Sequence, residues 1–215
     1  MDSTRIIAVR HGETAWNVDT RLQGHLDIAL NDKGQWQAGR VARALASEPI
    51  AAVYSSDLSR AWQTAQAIAV VHGLAVQPEP RLRERAFGHF EGRTFQDIER
   101  ELPDQAELWR RRDPEFAPAG GGESLLAFRA RITEAVANLA ARHPAELLVL
   151  VAHGGVMDVL YRAATGQELQ APRTWQLGNA YINRMLWTGQ GLTLVGWADD
   201  THLDGDDALD EQAAA

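Results

Sequence analysis

Short apolar runs alternate with longer amphipathic stretches along the chain. The runs are five to eight residues long and are bounded by polar residues, which is typical of buried strands. They predict strands at residues 5–10, 50–56, 74–78 and 146–153. Near the end, the segments YINRMLW and LTLVGWA flank a turn that contains glycine, and this pattern predicts a terminal β-hairpin.

The stretches between these strands have the spacing of helices. Asn31 is placed to cap a helix that ends near residue 47, and Asp57 is placed to cap a helix that ends near residue 72. From Glu123 to His143, apolar residues recur on one helical face. Strands that alternate with helices in this way predict an α/β fold, with helices on both faces of a mostly parallel sheet.

The charge distribution sets the last residues apart from the rest of the chain. The formal net charge is −8, and residues 199–215 contain seven Asp and Glu residues but no Lys or Arg. Removal of those seven negative charges leaves −1 for the remainder. We therefore expect a single domain over residues 1–198 and a disordered acidic tail over residues 199–215. A nearly neutral domain does not favour nucleic-acid binding.

Composition excludes some further classes of function. The chain has no cysteine, so disulfides, thiol catalysis and thiolate metal sites are excluded. We expect no membrane span, because no apolar run approaches 18 residues. The chain also begins without the layout of a signal peptide, so we expect a cytoplasmic location.

Charged side chains stand at the predicted carboxyl ends of three strands. Arg10 and His11 lie at the end of the first strand, Arg60 lies just inside the helix after the second, and His153 lies at the end of the fourth. Ligands of such sheets bind at the carboxyl ends of the strands, so we expect these side chains to converge. Gly12 lacks a side chain, which predicts a close approach of another group to the backbone there.

These residue types suit phosphoryl transfer without a metal. Two guanidinium groups match a tetrahedral oxyanion, and imidazole acts as a nucleophile or as an acid or base near neutral pH. A zinc site built from two histidines and an acid is the main chemical alternative. Arginines in the same place argue against zinc, because they would repel the cation. Each residue alone is more often structural, and the joint placement is what favours a functional site.

The motif VRHGETAWN resembles the signature of the histidine phosphatase superfamily, in the branch that includes cofactor-dependent phosphoglycerate mutases and small-molecule phosphatases. The resemblance continues in family order through VYSSDLSRAWQTA, LRERAFGHFEGRT and VAHGG, and it covers most of residues 5–198. It implies a three-layer α/β/α sandwich. It also implies hydrolysis of a phosphomonoester through a phosphohistidine, with no metal and no cofactor.

The resemblance further implies roles for single residues. His11 would be the nucleophile, and Arg10, Arg60 and His153 would complete the phosphate pocket. Glu84 would protonate the leaving oxygen and then take a proton from the attacking water; the residue pattern alone does not single it out from its mixed-charge surroundings. Further phosphate contacts are implied for Asn17, Gln23, Gly24 and Gly154.

A lid-like segment at about residues 93–122 bears on the choice between phosphatase and mutase. The mutases carry a long insertion after a Trp-Arg-Arg stretch, whereas here LWRRRDPEFAPAGGGES is short. A short lid leaves the site open to water, which favours a phosphatase. Arg110 and Arg111 stand where the mutase arginines contact the carboxylate of the substrate. The alternative is that both are solvated charges on the polar face of a lid helix.

The expected partner is a small phosphorylated metabolite, with no nucleic acid and no membrane. Trp36 and Trp62 are candidates for a homodimer surface, although burial within the domain explains them equally well. A phosphoglycerate mutase is the second candidate function. A non-catalytic phosphate-binding regulatory module is the third, and the presence of His11, Glu84 and His153 disfavours it.

Overall fold

A six-stranded sheet runs through the centre of the protein. The computed structural model describes residues 3–204. The strands are β1 (Thr4–Arg10), β2 (Ile50–Ser55), β3 (Val76–Pro78), β4 (Leu147–Ala152), β5 (Ile182–Thr188) and β6 (Gly191–Asp199). Their order is β3-β2-β4-β1-β5-β6; the first four pair in parallel, and β5 and β6 add an antiparallel hairpin. The mostly parallel sheet and the terminal hairpin confirm the sequence-based predictions.

Helices occupy both faces of this sheet within residues 3–204. They are α1 (Ala15–Val18), α2 (Asp32–Ala44), α3 (Ser59–Val71), α4 (Phe95–Glu101), α5 (Pro103–Arg110), α6 (Leu125–Ala141) and α7 (Gly154–Thr165). Short 3₁₀ helices lie at Pro80–Leu82, Gly88–Phe90 and Thr201–Leu203. None of the helices in this part of the chain is long and apolar enough to cross a membrane.

Successive side chains of the central strands point to opposite faces of the sheet, so the protein has one apolar core on each face. Ile6 and Ala8 of β1 pack in the core that α6 and α7 cover, whereas Ile7 and Val9 pack in the core that α2 and α3 cover. All six residues of β4 are buried, as expected for a strand with helices on both sides. The result is the three-layer α/β/α sandwich that the family resemblance implied.

The segment 93–122 forms a small unit beside the sandwich. Ile98 of α4 and Ala106 of α5 are buried together with Phe90. The ring of Trp109 packs against this cluster, with its centroid 5.7 Å from that of Phe90. The segment therefore has its own apolar core, which holds it in place over the sheet edge.

One predicted cap is wrong. Asn31 does cap α2, since its side chain accepts a hydrogen bond of 2.8 Å from the backbone N–H of Gly34. Asp57 does not cap α3: Leu58 occupies the cap position, and no side chain caps this helix. The Asp57 carboxylate instead accepts two hydrogen bonds from Arg83, at 2.6 and 2.5 Å. A bidentate guanidinium is a stronger partner for a carboxylate than backbone N–H groups.

The predicted domain boundary at residue 198 lies too early. Asp199 is the last residue of β6, and a 3₁₀ turn follows it. The Arg40 guanidinium donates to the backbone carbonyls of His202 and Asp204, at 2.6 and 3.1 Å. Residues 199–204 therefore belong to the folded domain. The rest of the predicted acidic tail, residues 205–215, lies outside the described residues.

Candidate active site

The carboxyl ends of three neighbouring strands bring the predicted site residues together. β4 lies between β2 and β1, with Arg10 opposite Ala152 and Ser55 opposite Val151. The residues that follow these pairs, His11, Ser56 and His153, therefore lie at the same edge of the sheet. There, the imidazole rings of His11 and His153 lie with their centroids 5.2 Å apart.

His11 is buried and held in one orientation. Its Nδ1 lies 2.7 Å from the carbonyl oxygen of Gly12, which accepts a hydrogen bond from it. A carbonyl cannot donate, so Nδ1 carries a proton, and in the neutral ring Nε2 carries the lone pair. Burial lowers the pKa of His11 well below its usual value, and the charges of Arg60 and Arg10 lower it further. The ring is therefore neutral at physiological pH, with Nε2 available for attack.

Two buried arginines flank this ring. Arg60, in the first turn of α3, donates hydrogen bonds of 2.8 Å to the carbonyls of Leu26 and Gly24. Burial lowers its pKa to about 10, so it remains a cation at neutral pH. Arg10, the last residue of β1, donates to the carbonyl of Leu177. Backbone carbonyls thus orient both guanidinium groups without neutralising them.

The second histidine, His153, precedes α7. The Ser56 hydroxyl and Nε2 of His153 share a hydrogen bond of 2.8 Å. Burial lowers the pKa of His153 well below its usual value, with a further contribution from Arg60. When Ser56 donates to Nε2, the proton of the neutral ring is on Nδ1, which then faces a ligand as a donor.

Four buried polar atoms of the predicted site have no hydrogen-bond partner among residues 3–204. They are Nε of Arg10, Nε of Arg60, Nδ1 of His153 and Oε1 of Gln23. The two arginine atoms are N–H donors, and a buried donor without a partner costs about 1–3 kcal/mol. A bound oxyanion would satisfy such donors. The arrangement therefore indicates an anion as the ligand of this site.

Glu84 reaches the site from the loop between two 3₁₀ helices. Its Oε2 accepts a hydrogen bond of 2.9 Å from the backbone N–H of Gly155, in the first turn of α7. Its Oε1 accepts one of 2.8 Å from the N–H of Arg85. The helix N-terminus carries a partial positive charge that suits a carboxylate. Glu84 thus lies beside Gly155, and its charge acts to raise the pKa of both Arg10 and Arg60.

Two cavities meet at the start of α7. One has a volume of about 740 Å³ and is lined by Arg10 and Asn17, among others. The other has a volume of about 460 Å³ and is lined by Glu84 and Trp109, among others. Gly154, Gly155 and Arg173 line both. The two cavities therefore share a wall at the start of α7, with Arg10 in the larger one and Glu84 in the smaller one.

Not every predicted residue has the surroundings that its motif suggested. The close approach at Gly12 comes from the carbonyl of Gly34 in α2, which a Cβ at position 12 would overlap, and not from a ligand. Asn17 lines the larger cavity. However, its Oδ1 already accepts a hydrogen bond of 3.0 Å from the backbone N–H of Thr14. It also receives one from Asn179, at 3.3 Å.

The structure places the lid arginines differently from the expectation. Arg110 lies at the rim of the smaller cavity, but its guanidinium pairs with Glu99 and Glu107. Arg111 is exposed and pairs with Glu107 at 2.6 Å, one helical turn away, so it does not line the cavity. The third arginine, Arg112, faces inward instead. Sequence reasoning missed it because Arg112 has a φ of +53°, which reverses the chain after α5.

The α/β/α sandwich, with a histidine and two arginines at the carboxyl edge of its sheet, is typical of one class of enzymes. The profile of the Histidine phosphatase superfamily (branch 1) matches residues 6–200, so this chain belongs to that superfamily. Phosphoglycerate mutase-like protein 4 of Arabidopsis thaliana is 39% identical over 207 residues, 95% of this chain and 89% of that protein.

Two further similar proteins carry names of phosphatases. The metal-independent phosphoserine phosphatase of Arabidopsis thaliana is 35% identical over 206 residues, 93% of this chain and 83% of that protein. A solved mycobacterial glucosyl-3-phosphoglycerate phosphatase, in complex with VO3, superposes with a TM-score of 0.80 at 33% identity. The match covers 91% of this chain and 99% of that one.

Proposed function

We propose that this protein is a metal-independent phosphomonoester phosphatase that forms a phosphohistidine on His11. The observation that carries the proposal is the hydrogen bond from Nδ1 of His11 to the Gly12 carbonyl. It fixes Nε2 as the unprotonated nitrogen of a buried ring between two cations. Nucleophilic attack on phosphorus requires such a neutral nitrogen.

In the first step, Nε2 of His11 attacks phosphorus in line with the leaving oxygen. The N–P bond forms as the P–O bond breaks, and Glu84 gives a proton to the departing alkoxide. The guanidinium groups of Arg10 and Arg60 stabilise the charge on the equatorial oxygens, which is the task that a metal performs in other phosphoryl-transfer enzymes.

In the second step, water attacks the phosphohistidine. Glu84, now a carboxylate, takes a proton from that water, the N–P bond breaks, and inorganic phosphate leaves. His11 returns to its neutral state and Glu84 to its protonated state. The cycle balances without any further reactant.

Hydrolysis is favoured over phosphoryl return to the substrate by the small size of the segment 93–122. The chain passes from α5, which ends at Arg110, to α6, which begins at Leu125, in 14 residues. Both cavities open to solvent, and Glu84 lines the smaller one, so water would have access to the phosphohistidine beside Glu84. The phosphatase names of two relatives support this choice.

The test is phosphate release in EDTA from a panel that includes p-nitrophenyl phosphate, O-phosphoserine and 3-phosphoglycerate. We expect release by the wild type and a loss of roughly 10⁴-fold in His11→Ala. His72→Ala, at the far end of α3, is the matched control and is expected to remain active. Rapid quenching followed by ³¹P NMR should show phosphate on Nε2.

Two outcomes would overturn the proposal. Isomerisation of 3-phosphoglycerate that greatly exceeds phosphate release, with bisphosphoglycerate as primer, would make the protein a mutase. Phosphate release that survives in His11→Ala, or that EDTA abolishes, would exclude the phosphohistidine mechanism without a metal.

A further inference from the structure

Arg173 stands where the two cavities meet. It lies in the loop between α7 and β5 and lines both cavities, together with Gly154 and Gly155. Burial lowers the pKa of Arg10, and the charge of Arg173 lowers it further, so the two guanidinium groups interact electrostatically. Arg173 is therefore close enough to the phosphate pocket to act on the substrate held there.

The charges of the smaller cavity favour an anion. Four arginines line it, against two carboxylates, Glu84 and Asp158. Three of the arginines are engaged by the protein. Arg85 donates to two backbone carbonyls, Arg110 pairs with two glutamates, and Arg112 pairs with Asp158.

Arg173 differs from these three arginines. Its guanidinium makes no hydrogen bond and no ion pair within residues 3–204, and its side chain is exposed to the cavities. Because no protein group in this range neutralises it, this cation is available to pair with an anion of a ligand.

The loop that carries Arg173 is anchored by hydrogen bonds to its backbone. Buried Arg162 donates to the backbone carbonyl of Ala171 at 3.0 Å and to that of Glu168. Arg112 donates to the carbonyl of Leu169 at 2.6 Å. These three hydrogen bonds, to carbonyls of residues 168, 169 and 171, position the backbone just before Arg173. A site that binds selectively needs its recognition groups positioned in this way.

The walls of the smaller cavity are aromatic. Trp109 packs edge-on against Phe87, with ring centroids 5.2 Å apart. The rest of the apolar lining consists of Phe95, Phe128, Leu125, Val159 and Leu169. The alcohol of the substrate would therefore lie against apolar walls, and the charged groups within its reach are Glu84, Asp158 and the arginines.

We propose that Arg173 binds a second anionic group on the alcohol of the substrate, so that the protein selects phosphomonoesters whose leaving group is itself anionic. This inference rests on the proposed phosphatase function. A carboxylate and a second phosphate share the required chemistry. The role that the family resemblance implied for Arg110 and Arg111 would thus fall to a residue of the loop between α7 and β5.

The experiment compares esters that differ in one terminal group. The substrates are three-carbon phosphates that end in a carboxylate (3-phosphooxypropanoate), a phosphate (propane-1,3-diol bisphosphate) or a hydroxymethyl group (3-hydroxypropyl phosphate). We expect kcat/KM of the wild type to be about tenfold or more higher for an anionic ester than for the neutral one. The better of the two anionic esters identifies the preferred group.

Variants of Arg173 test whether this residue causes the preference for anionic esters. Arg173→Gln should raise KM for the anionic esters about tenfold and leave the neutral ester unchanged. Arg173→Lys should restore part of the preference, because it keeps the charge but loses the planar donor fork. Arg129→Gln, on the exposed face of α6 and away from both cavities, is the matched control and should behave as the wild type.

p-Nitrophenyl phosphate separates the two proposals. If it is hydrolysed but the wild type shows no preference among the three-carbon esters, the inference is wrong and the phosphatase function stands. An equal loss for all esters in Arg173→Gln would also overturn the inference, since Arg173 would then serve the transferred phosphate. Absence of release from every ester would contradict the phosphatase function itself.

Discussion

Oε2 of Glu84 accepts a hydrogen bond of 2.9 Å from the backbone N–H of Gly155. The two residues belong to different elements, a loop and the first turn of α7. Glycine is required for this approach, because a Cβ at position 155 would overlap Oε1 of Glu84. The Glu84 carboxylate can therefore occupy this position only because residue 155 has no side chain. The same turn of α7 borders both cavities.

Gly155→Ala should therefore separate activity from stability. The added methyl group would displace Glu84 from the helix terminus, and we expect kcat to fall by roughly 10²-fold, as for loss of a positioned acid and base. Stability should change little, since alanine is the better helix former by about 1 kcal/mol and offsets part of the strain. Steady-state kinetics and thermal unfolding measure the two effects.

Gly39→Ala provides the control for this substitution. Gly39 lies in α2, and a Cβ there would meet no atom within 4 Å. This variant should gain stability and keep full activity. Wild-type activity in Gly155→Ala would mean that the position of Glu84 does not depend on the glycine, contrary to the geometry.

The main elements of the sandwich could be predicted from the sequence because hydrophobic burial dictates them. The apolar runs that end at Arg10 and before His153 are strands with helices on both faces, so the four central residues of β1 and all six of β4 are apolar. The convergence of those ends follows from the parallel arrangement alone. Glu84 required the family resemblance, since a single acid in a mixed-charge loop has no periodic signal.

The rest of the site could not be predicted, because it depends on partners distant in sequence. Asp57 looks like a helix cap until Arg83 is placed beside it. Arg112 turns inward through a left-handed backbone conformation that no pattern of apolar residues indicates. Arg173 lies in a loop without periodicity, and its position depends on anchors from Arg162, on another element.

The two buried histidines should make stability depend on pH. Burial lowers the pKa of His11 and of His153 from an ordinary value of 6.5. Below pH 6.5 the unfolded chain binds protons that the folded protein does not, so the free energy of unfolding falls as pH falls. Each histidine contributes up to about 1.4 kcal/mol per pH unit until the folded-state pKa is reached, and nothing well above pH 6.5.

His11→Gln should remove one of these contributions. We expect its stability to fall less steeply than that of the wild type between pH 6.5 and 5, as measured by urea unfolding at several pH values. The comparison concerns slopes, so a change in absolute stability does not affect it. Parallel slopes for His11→Gln and the wild type would show that His11 takes up a proton in the folded state.

Asp158 should be one of the most sensitive positions for stability. Its side chain is almost fully buried and accepts hydrogen bonds from Arg162 at 3.0 Å and from Arg112 at 2.7 Å. Asp158→Asn would leave the buried charge of Arg162 without its counter-ion, and we expect the free energy of unfolding to fall by about 3–5 kcal/mol. Urea unfolding at pH 7.5 measures this change.

A double variant tests whether the unpaired charge is the cause. Asp158→Leu combined with Arg162→Met removes the carboxylate and its fully buried partner, and we expect it to be more stable than Asp158→Asn, because only the partly exposed Arg112 then lacks a counter-ion. Glu101→Gln, which breaks exposed ion pairs with Arg93 and Arg100, should cost less than about 1 kcal/mol. If Asp158→Asn cost no more than Glu101→Gln, other groups would have to neutralise Arg162. The anchors of the loop before Arg173 would then not depend on Asp158.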